Sequence, residues 1–313
     1  MKKVFIDGSA GTTGLRIKER LSKRNDIELI TLSEELRKDD AARKMALNES
    51  DIAFLCLPDA AAIQAAGMIE NENTVVFDTS TAHRTNEGWA YGFPELSKEH
   101  FEKVAASKRI AVPGCHASGF IALTYPLIEK GIISPDILLS CHSITGYSGG
   151  GKKMIAEYED GEREILFDAP RQYALTQTHK HLPEMTKITG IKNAPIFSPI
   201  VSDFYSGMEV TVPIFKSQLE GGFGIEDIKA AYKEKYNTPI VFYTENADEG
   251  GLLSANALSG KDSMQITVCG NEERILLVAR YDNLGKGASG AALECMNISM
   301  GEKPETMLDI SIG

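Results

Sequence analysis

Short apolar runs alternate with amphipathic stretches along the first third of the chain. Residues 3–7 (KVFID) predict a buried strand, and the same pattern recurs at 27–32, 51–58, 74–80 and 108–115. Between these runs, apolar residues recur at helical spacing or fall in an alanine-rich stretch. Strands that alternate with helices predict an α/β domain, in which a parallel sheet carries helices on both faces.

The pattern changes after residue 115. Residues 117–130 present one apolar helical face, and Gly131 is a helix stop signal. Alternating segments then outnumber the helices, at 137–147, 207–215, 263–268 and 274–281. A helix is predicted among them at 225–236, and residues 283–300 form a glycine-rich entry into another. The sequence therefore predicts a second, α+β domain with a mostly antiparallel sheet and helices on one side.

Composition narrows the classes of protein that fit this pattern. A length of 313 residues predicts about two domains, and 42% hydrophobic with 25% charged residues is typical of a globular protein. The net charge is −11 and no basic stripe exists, which argues against a nucleic-acid partner. No apolar run reaches the length of a membrane span and the start lacks a signal-peptide core, so we expect no membrane association and a cytoplasmic location. Five cysteines without a CxxC argue against a disulfide framework or a zinc ribbon.

A glycine-rich loop joins the first predicted strand to the first helix. Gly8, Gly11 and Gly14 are spaced G-x-x-G-x-x-G, which lets the backbone turn tightly and approach a pyrophosphate at a helix N-terminus. The alternative is a tight turn without a ligand. We favour a dinucleotide site, and its predicted residues are Gly8, Ser9, Gly11, Thr12, Thr13 and Gly14.

The end of the second strand bears on the choice of cofactor. An NAD site usually has an acid there to hold the ribose 2′-hydroxyl. This chain has Ser33, which can donate to a 2′-phosphate, and then Arg37 and Lys38, which can neutralise it. Glu34 and Glu35 argue the other way, because either could face the ribose. The prediction is NADP(H), with Ser33 and Arg37 as the selecting residues.

Cys115 follows the strand 108–115 and begins the helix after it. A helix N-terminus favours the thiolate form of cysteine, and parallel sheets bind ligands at the carboxyl ends of their strands. We therefore expect Cys115 to be a nucleophile. Cys56, Cys269 and Cys295 lie within apolar patterns and are interpreted as packed residues.

Tyr173, His179, His181 and Glu184 form a polar cluster in a loop or helix entry marked by Pro183. Histidine exchanges protons near neutral pH, and a carboxylate can orient an imidazole, so His179, His181 and Glu184 are catalytic candidates. Two alternatives remain, surface histidines in a loop and a metal site. No third imidazole or cysteine stands nearby at ligand spacing, so no metal is predicted.

Several separated motifs together resemble one family over nearly the whole chain. The chain resembles the N-acetyl-γ-glutamyl-phosphate reductases of the shorter type, which belong with aspartate-semialdehyde dehydrogenases. The motifs are GSAGTTG near the start, DTSTAHR (78–84), YGFPEL (91–96), PGCHASG (113–119), GYSGGGK (146–152), HKHLPE (179–184) and NLGKGASGAA (283–292).

The resemblance implies an NADPH-dependent reduction of an acyl phosphate through a cysteinyl thioester, a step of arginine biosynthesis. It implies a Rossmann-like domain (1–115 plus 284–313) and a catalytic domain (116–283) that also makes the subunit contact, in a homodimer or homotetramer. Cys115 would be the nucleophile, the histidine–glutamate cluster the acid/base, and Ser148, Gly149 and Asn283 part of the cofactor site. Expected substrate-binding residues are Arg84, Tyr173 and Lys152, and inorganic phosphate is the second product.

The chain departs from the longer-type pattern at two places. Lys152 stands where the longer type has an arginine, and lysine cannot form a bidentate clamp on phosphate or carboxylate. Cys115 is followed by His-Ala instead of Tyr-Pro. For Arg84, the alternative to gripping phosphate is a surface salt bridge.

Three rival functions stay open on the sequence. The same chemistry could act on β-aspartyl phosphate. A cofactor-independent hydrolase could use Cys115 and His181, but it gives the glycine loop no role. A nucleotide sensor without catalysis would tolerate the loss of Cys115.

Overall fold

The computed structural model describes residues 1–310. In chain order its strands are β1 (Lys2–Asp7), β2 (Ile27–Ile30), β3 (Ile52–Leu55), β4 (Val75–Asp78), β5 (Ala90–Tyr91), β6 (Arg109–Ala111), β7 (Ser140–Gly146), β8 (Arg171–Gln172), β9 (Ile196–Ser202), β10 (Met208–Phe215), β11 (Val241–Tyr243), β12 (Met264–Gly270) and β13 (Arg274–Tyr281). Its helices are α1 (Thr12–Leu21), α2 (Asp40–Glu49), α3 (Asp59–Gly67), α4 (Lys98–Ala106), α5 (Cys115–Glu129), α6 (Gly151–Glu159), α7 (Leu182–Thr189), α8 (Ile225–Lys235) and α9 (Gly290–Ser299). Among these residues, no helix is both long enough and apolar enough to cross a membrane.

The first compact unit comprises Met1–Gly114 and Ala288–Met307. Its sheet has the order β2-β1-β3-β4-β6-β5, and every pairing in it is parallel. The predicted Rossmann-like α/β domain is therefore confirmed. β3 is buried at all four positions, as expected for a strand covered on both faces.

The second unit comprises Cys115–Gly287 and the segment from Leu308. Its sheet has the order β11-β12-β13-β10-β7-β9-β8. The prediction of a mostly antiparallel sheet is wrong, because the sheet is mixed: β7 pairs with β9, and β11 with β12, in parallel. Helix α5 packs against β10 and β13, whose facing residues are buried.

β9 accounts for much of this difference. Its sequence, IFSPIVS, has a serine and Pro199 in the middle, so the alternation of apolar and polar residues that predicts a strand is interrupted. The chain leaves β7, forms α6 and α7, and returns as β9 in the same direction, which makes the pair parallel. Pro199 has no N–H to donate, and its carbonyl oxygen accepts a hydrogen bond from the Tyr173 amide.

Gly119 sets the distance between α5 and the sheet. A Cβ atom at this position would lie 2.6 Å from Val210 Cγ2 and 2.7 Å from the Tyr281 hydroxyl oxygen. Only glycine therefore lets the helix lie this close to β10 and β13. The hydroxyl of Tyr232 on α8 donates to the Leu123 carbonyl oxygen, and that of Tyr236, the residue after α8, donates to the Ala122 carbonyl oxygen.

Candidate active site

Cys115 is the first residue of α5, as the sequence predicts. Its carbonyl oxygen accepts a hydrogen bond of 2.5 Å from the Tyr281 hydroxyl, and that hydroxyl oxygen accepts from the Gly119 amide at 3.0 Å. A Cβ atom at Gly287 would lie 3.1 Å from Cys115 Cβ, so a larger residue there would crowd the cysteine. The position of Cys115 is thus fixed by β13 and by the segment that follows it.

His116 is buried directly beside Cys115. One ring nitrogen, Nδ1, lies 2.6 Å from Ser143 Oγ, and Nε2 lies 2.6 Å from the Tyr173 hydroxyl oxygen. Burial and the charge of His179 lower the pKa of His116 to about 3. The ring is therefore neutral at physiological pH and acts as a fixed hydrogen-bonding group.

Three imidazoles meet in this part of the second unit. The His179 and His181 ring centroids are 4.7 Å apart, and they lie 5.8 Å and 5.7 Å from that of His116. The His181 amide donates to His179 Nδ1 at 3.2 Å, and His181 precedes α7 as its N-cap, so the prediction of a helix entry is confirmed. Burial, and then the charge of Lys180, lowers the pKa of His179 to about 4.

The segment between Tyr173 and His181 is attached to β9. The Tyr173 amide donates to the Pro199 carbonyl oxygen at 3.0 Å. The Gln177 side chain donates to the Phe197 carbonyl oxygen at 2.7 Å and accepts from the Phe197 amide at 2.8 Å. Phe197 also contacts the rings of His116 and His179, at centroid distances of 5.4 Å and 5.1 Å. The loop is therefore held in place by the sheet edge.

The charge of Cys115 acts on two tyrosines, Tyr173 and Tyr281. Burial, and then the charge of Cys115, raises the pKa of Tyr173, so its phenol stays protonated. Glu184 is buried in the first turn of α7 and contributes, after burial and Cys115, to the raised pKa of Tyr281. The arrangement is a half-buried thiol among neutral donors, which suits nucleophilic attack on a carbonyl.

The structure brings Cys115 close to Tyr173, His179 and His181, which the sequence singles out as a separate cluster. Sequence reasoning missed two others. It left His116 without a role because neighbours in sequence need not face the same group. It passed over Ser143, although the buried pattern of β7 places this serine on the inward face, where a hydroxyl needs a partner.

Ser148, Gly149 and Asn283 also come together within the second unit. Asn283 Nδ2 donates to Ser148 Oγ at 3.0 Å, and a Cβ atom at Gly149 would lie 3.4 Å from the same nitrogen. Asp282, which the sequence did not suggest, is buried next to Asn283. Its carboxylate accepts hydrogen bonds from the Leu284 amide and the Ser206 hydroxyl, and so fixes the backbone around Asn283. Cofactor binding by the three residues stays a prediction.

The first unit contains a cavity of about 410 Å³ at the carboxyl ends of β1, β2 and β3. Phe5, Leu29, Ile30, Leu57 and Ala61 supply apolar surface to it. Its lining also includes the loop residues Gly8 and Ser9 and the cations Lys18, Arg37, Lys38 and Arg43. The lining suits a ligand with an apolar ring system and an anionic group.

The glycine loop turns so tightly that two of its positions accept only glycine, and dinucleotide binding by it stays a prediction. Gly8 has φ +88°, and a Cβ atom there would lie 2.2 Å from the Cys56 carbonyl oxygen, so only glycine is accommodated. At Gly14 a Cβ atom would lie 2.5 Å from the Gly8 carbonyl oxygen. The absence of a side chain at Gly14 therefore lets the first turn of α1 pack directly against the loop. The Thr12 hydroxyl is buried in the first turn and has no hydrogen-bond partner within residues 1–310, as expected of a group awaiting a ligand.

The end of β2 differs from the prediction in detail. The strand stops at Ile30, and Ser33 is exposed in the following turn, outside the cavity lining. Arg37 lines the cavity and pairs with Glu34, Nε to Oε2, at 2.9 Å. Arg43 is buried at the cavity wall, where its guanidinium is paired with Asp7. Arg37 is thus the better placed of the two predicted selecting residues.

Two predicted substrate-binding residues lie in different surroundings. Arg84 belongs to the first unit and is buried, with Nε donating to the Val112 carbonyl oxygen at 2.8 Å and Nη2 to that of Thr79 at 2.9 Å. The surface salt bridge considered for it is therefore wrong. Lys152 is exposed in the first turn of α6. Phosphate or carboxylate binding by either residue stays a prediction.

Metal-binding capacity can be read from the donor groups. Within the described part of the chain, no group of three or more His, Cys, Asp or Glu side chains is arranged to hold a metal ion.

Comparison with known protein families gives two matches that together span most of the chain. Residues 3–104 match the NAD binding domain of semialdehyde dehydrogenase, and residues 115–283 match its dimerisation domain. A reductase from Rhizobium etli, named N-acetyl-gamma-glutamyl-phosphate reductase, is 45% identical over 95% of this chain and 98% of its own length. The chain belongs to the N-acetyl-γ-glutamyl-phosphate reductase family.

A second reductase is similar in sequence, and two solved structures have the same fold. A Brucella ovis reductase of the same name is 42% identical over 96% of this chain and 99% of its own length. Aspartate semialdehyde dehydrogenase II of Vibrio cholerae has the same fold, with a TM-score of 0.72 over 96% of this chain and 98% of its own, at 16% identity. The Candida albicans enzyme, solved with NADP, has a TM-score of 0.67 at 16% identity over 98% of this chain and all (100%) of its own.

Proposed function

We propose that the chain reduces N-acetyl-γ-glutamyl phosphate to N-acetyl-glutamate 5-semialdehyde and phosphate, with NADPH, as a step of arginine biosynthesis. The observation that carries the chemistry is Cys115 at the start of α5, beside buried, neutral His116 and the protonated phenol of Tyr173. The substrate follows from the 42–45% identity to reductases of that name over nearly their whole length.

The proposed reaction begins with attack by the Cys115 thiolate. The Cys115 thiolate forms a C–S bond to the γ-carbonyl carbon while the bond from that carbon to the phosphate oxygen breaks, which leaves a thioester. Bound NADPH supplies the hydride that reduces this thioester. The resulting thiohemiacetal oxyanion collapses, the C–S bond breaks, and the aldehyde leaves as the thiolate is restored. One proton is taken up overall: the acid/base gives it to the phosphate oxygen as the bond to carbon breaks, and takes a proton from solvent before the next cycle.

We assign different roles to the two histidines of the loop. His179 Nδ1 accepts the His181 amide hydrogen, so in the neutral ring the proton sits on Nε2. His179 can then donate a hydrogen bond but has no lone pair available to take up a proton. His181 is therefore the proposed acid/base, and Glu184, in the first turn of the helix that His181 caps, is its proposed orienting carboxylate.

Substitution of the two histidines separates these roles. We expect His181→Asn to lower kcat by about 10²-fold, as the loss of general acid–base catalysis typically does, and to remove a limb of the pH profile. His179→Asn keeps an N–H donor and should lose less. With a pKa of about 4, His179 is neutral from pH 5 to 8, so its ionisation should not appear in that range.

Two outcomes would contradict this assignment. One is an equal loss of kcat in both asparagine variants. The other is a His181→Asn enzyme that keeps the parental pH profile.

We propose that NADPH binds in the first unit. Gly8, Ser9, Gly11, Thr12, Thr13 and Gly14 would hold the pyrophosphate at the start of α1, and the apolar cavity would hold the adenosine. Arg37 would contact the 2′-phosphate once its ion pair with Glu34 is broken. The proposed domain bounds are 1–115 plus 284–313 for the cofactor and 116–283 for catalysis and subunit contact; residues 311–313 lie outside the described part.

A preference for NADPH over NADH is the expected result of this arrangement. Arg37→Ala should lower kcat/KM for NADPH by roughly 10-fold, because a charge-assisted contact is lost, and leave that for NADH nearly unchanged. Lys44→Ala removes an exposed cation of the same unit that is paired with Glu70 outside the cavity, and should change neither value. Equal efficiency with both cofactors in the parent enzyme would refute the preference.

We also propose a homodimer or homotetramer, since the family that matches residues 115–283 is described as a dimerisation domain. Light scattering that returns the monomer mass of 34.1 kDa would contradict it. A cytoplasmic location suits a catalytic thiol that must stay reduced, and fractionation of the source cells checks it.

The assay that tests the function runs the reaction backwards. N-acetyl-glutamate 5-semialdehyde and aspartate semialdehyde are each supplied with NADP⁺ and inorganic phosphate, and absorbance of the reduced cofactor is followed. We expect kcat/KM to favour the N-acetylated aldehyde by about 10²-fold or more, because a site built to bind an amide rejects an analogue that lacks it. The opposite preference would assign the chain to β-aspartyl phosphate instead.

A further inference from the structure

A chain of hydrogen bonds runs from the sheet of the second unit to the site. It starts at Ser143 on β7, passes through both ring nitrogens of His116 on α5, and ends at the Tyr173 hydroxyl after β8. Both links measure 2.6 Å. Since each link holds one shared hydrogen, the direction of donation at Ser143 decides the direction at Tyr173.

Burial fixes the direction at Ser143. This serine is fully buried, and within residues 1–310 the only hydrogen bond of its Oγ is the one with His116 Nδ1. If Nδ1 carried a hydrogen and donated it to Ser143, the serine hydrogen would have no acceptor and no access to water. A buried hydroxyl hydrogen without a partner is costly, so Ser143 donates and Nδ1 accepts.

The other nitrogen of the ring must then carry the proton. Neutral imidazole has one N–H, so Nε2 is the donor, and the Tyr173 hydroxyl oxygen accepts. Tyr173 keeps its own O–H hydrogen for another acceptor, and among residues 1–310 no protein group takes it. The side chain is only partly buried, so a substrate can reach it.

The position of Tyr173 relative to the nucleophile indicates what that acceptor is. The charge of Cys115 acts on the phenol, which places the two side chains in the same neighbourhood. The ring of Tyr173 also lies 6.0 Å from that of His179, centroid to centroid. An acyl group bonded to Cys115 would present its carbonyl oxygen among these donors.

We propose that Tyr173 is a catalytic residue whose hydroxyl donates a hydrogen bond to the carbonyl oxygen of the acyl group on Cys115, with His116 and Ser143 as positioning residues. This inference rests on the proposed function and deepens it. As hydride adds to the carbonyl carbon, the π electron pair of the C=O bond moves onto oxygen and gives that atom a negative charge. The Tyr173 O–H stabilises this oxyanion by a hydrogen bond. The phenol keeps its proton, and collapse of the oxyanion restores C=O and expels the thiolate.

Tyr173→Phe tests the donor. Removing one oxyanion donor typically costs about 10²–10³ in rate, and we expect a loss of about 10²-fold in kcat with KM for the aldehyde and for NADP⁺ changed less than about 3-fold. Tyr243→Phe is the matched control, because its hydroxyl is buried on β11 without a hydrogen-bond partner within residues 1–310. A Tyr173→Phe enzyme with near-parental kcat would overturn the proposal.

The tautomer of His116 tests the positioning residues. Nitrogen NMR of the parent enzyme should show His116 protonated on Nε2 and bare on Nδ1, unchanged from pH 5 to 9, since the pKa of this ring is about 3. In Ser143→Ala the hydrogen bond at Nδ1 is lost, and neither tautomer of the ring has a partner on that side. We expect the Nε2–H form to lose its exclusive population, with both tautomers present, and kcat to fall while KM stays.

The two tests are separable from the proposed function. If the parent lacks activity on the semialdehyde, the proposed function fails, whereas an Nδ1–H form of His116 in the parent would overturn this inference alone. Should Ser143→Ala fail to fold, the parent spectrum and Tyr173→Phe still decide the matter. An active parent with the Nε2–H form and an impaired Tyr173→Phe enzyme supports the proposal.

Discussion

Replacing Cys115 by serine is expected to lower kcat by about 10⁴-fold or more while leaving the affinity for NADPH nearly unchanged. A serine hydroxyl ionises only at far higher pH than a thiol, so it cannot supply the anionic nucleophile near neutrality. Losses of this size follow removal of a nucleophile from other covalent enzymes. Steady-state kinetics in both directions, with cofactor fluorescence titration for affinity, measures both quantities.

Cys269→Ser is the matched control for this substitution. Cys269 is a second partly exposed thiol of the same unit, on β12, and burial raises its pKa, so it stays a thiol. We expect near-parental activity from it. Substantial turnover in the Cys115→Ser enzyme would mean that no cysteinyl thioester forms, and the covalent route would have to be abandoned.

Withholding inorganic phosphate is expected to stop aldehyde oxidation after a single turnover. In this direction hydride leaves the thiohemiacetal and a thioester remains on Cys115. Phosphate must attack that thioester to free the thiol, and an enzyme that forms an acyl phosphate uses phosphate, not water, as the acceptor. Rapid mixing without phosphate should therefore show a burst of one equivalent of NADPH per site and then no further reaction.

Adding phosphate after the burst should restart turnover at the normal steady-state rate. This addition separates a trapped thioester from an inactivated enzyme. If turnover instead continued at the same steady rate without phosphate, water would be the acceptor, and the chain would act as a hydrolytic aldehyde dehydrogenase.

Local features of the fold and site were predictable from the sequence. The glycine loop and the junction at Cys115 each lie within a few consecutive residues, where a strand ends and a helix begins. Their chemistry depends on that junction, so a pattern along the chain is enough to find them. The parallel sheet of the first unit follows in the same way, from strands that alternate with helices.

Features that depend on pairing between distant segments were not predictable. The role of His116 needs Ser143 from β7 and Tyr173 from the loop beyond β8, which only the folded sheet brings within hydrogen-bonding distance. β9 was missed because Pro199 interrupts its pattern, and with it the parallel pairing that makes the sheet mixed. The place of Ser33 in a turn was not predictable, because β2 ends earlier than its apolar run suggests.

The side chain of Gln177 has a consequence for how this protein can vary. It makes hydrogen bonds to both the amide and the carbonyl group of Phe197, as a residue of a neighbouring strand would. The loop around Gln177 has no helix or strand, yet these two bonds hold it in one position along β9. Connections of this kind usually tolerate insertions and deletions. Here a single added residue between Tyr173 and His179 would move one of them away from the ring of His116. New substrate preferences are therefore more accessible to evolution by exchanging side chains around this loop than by changing its length.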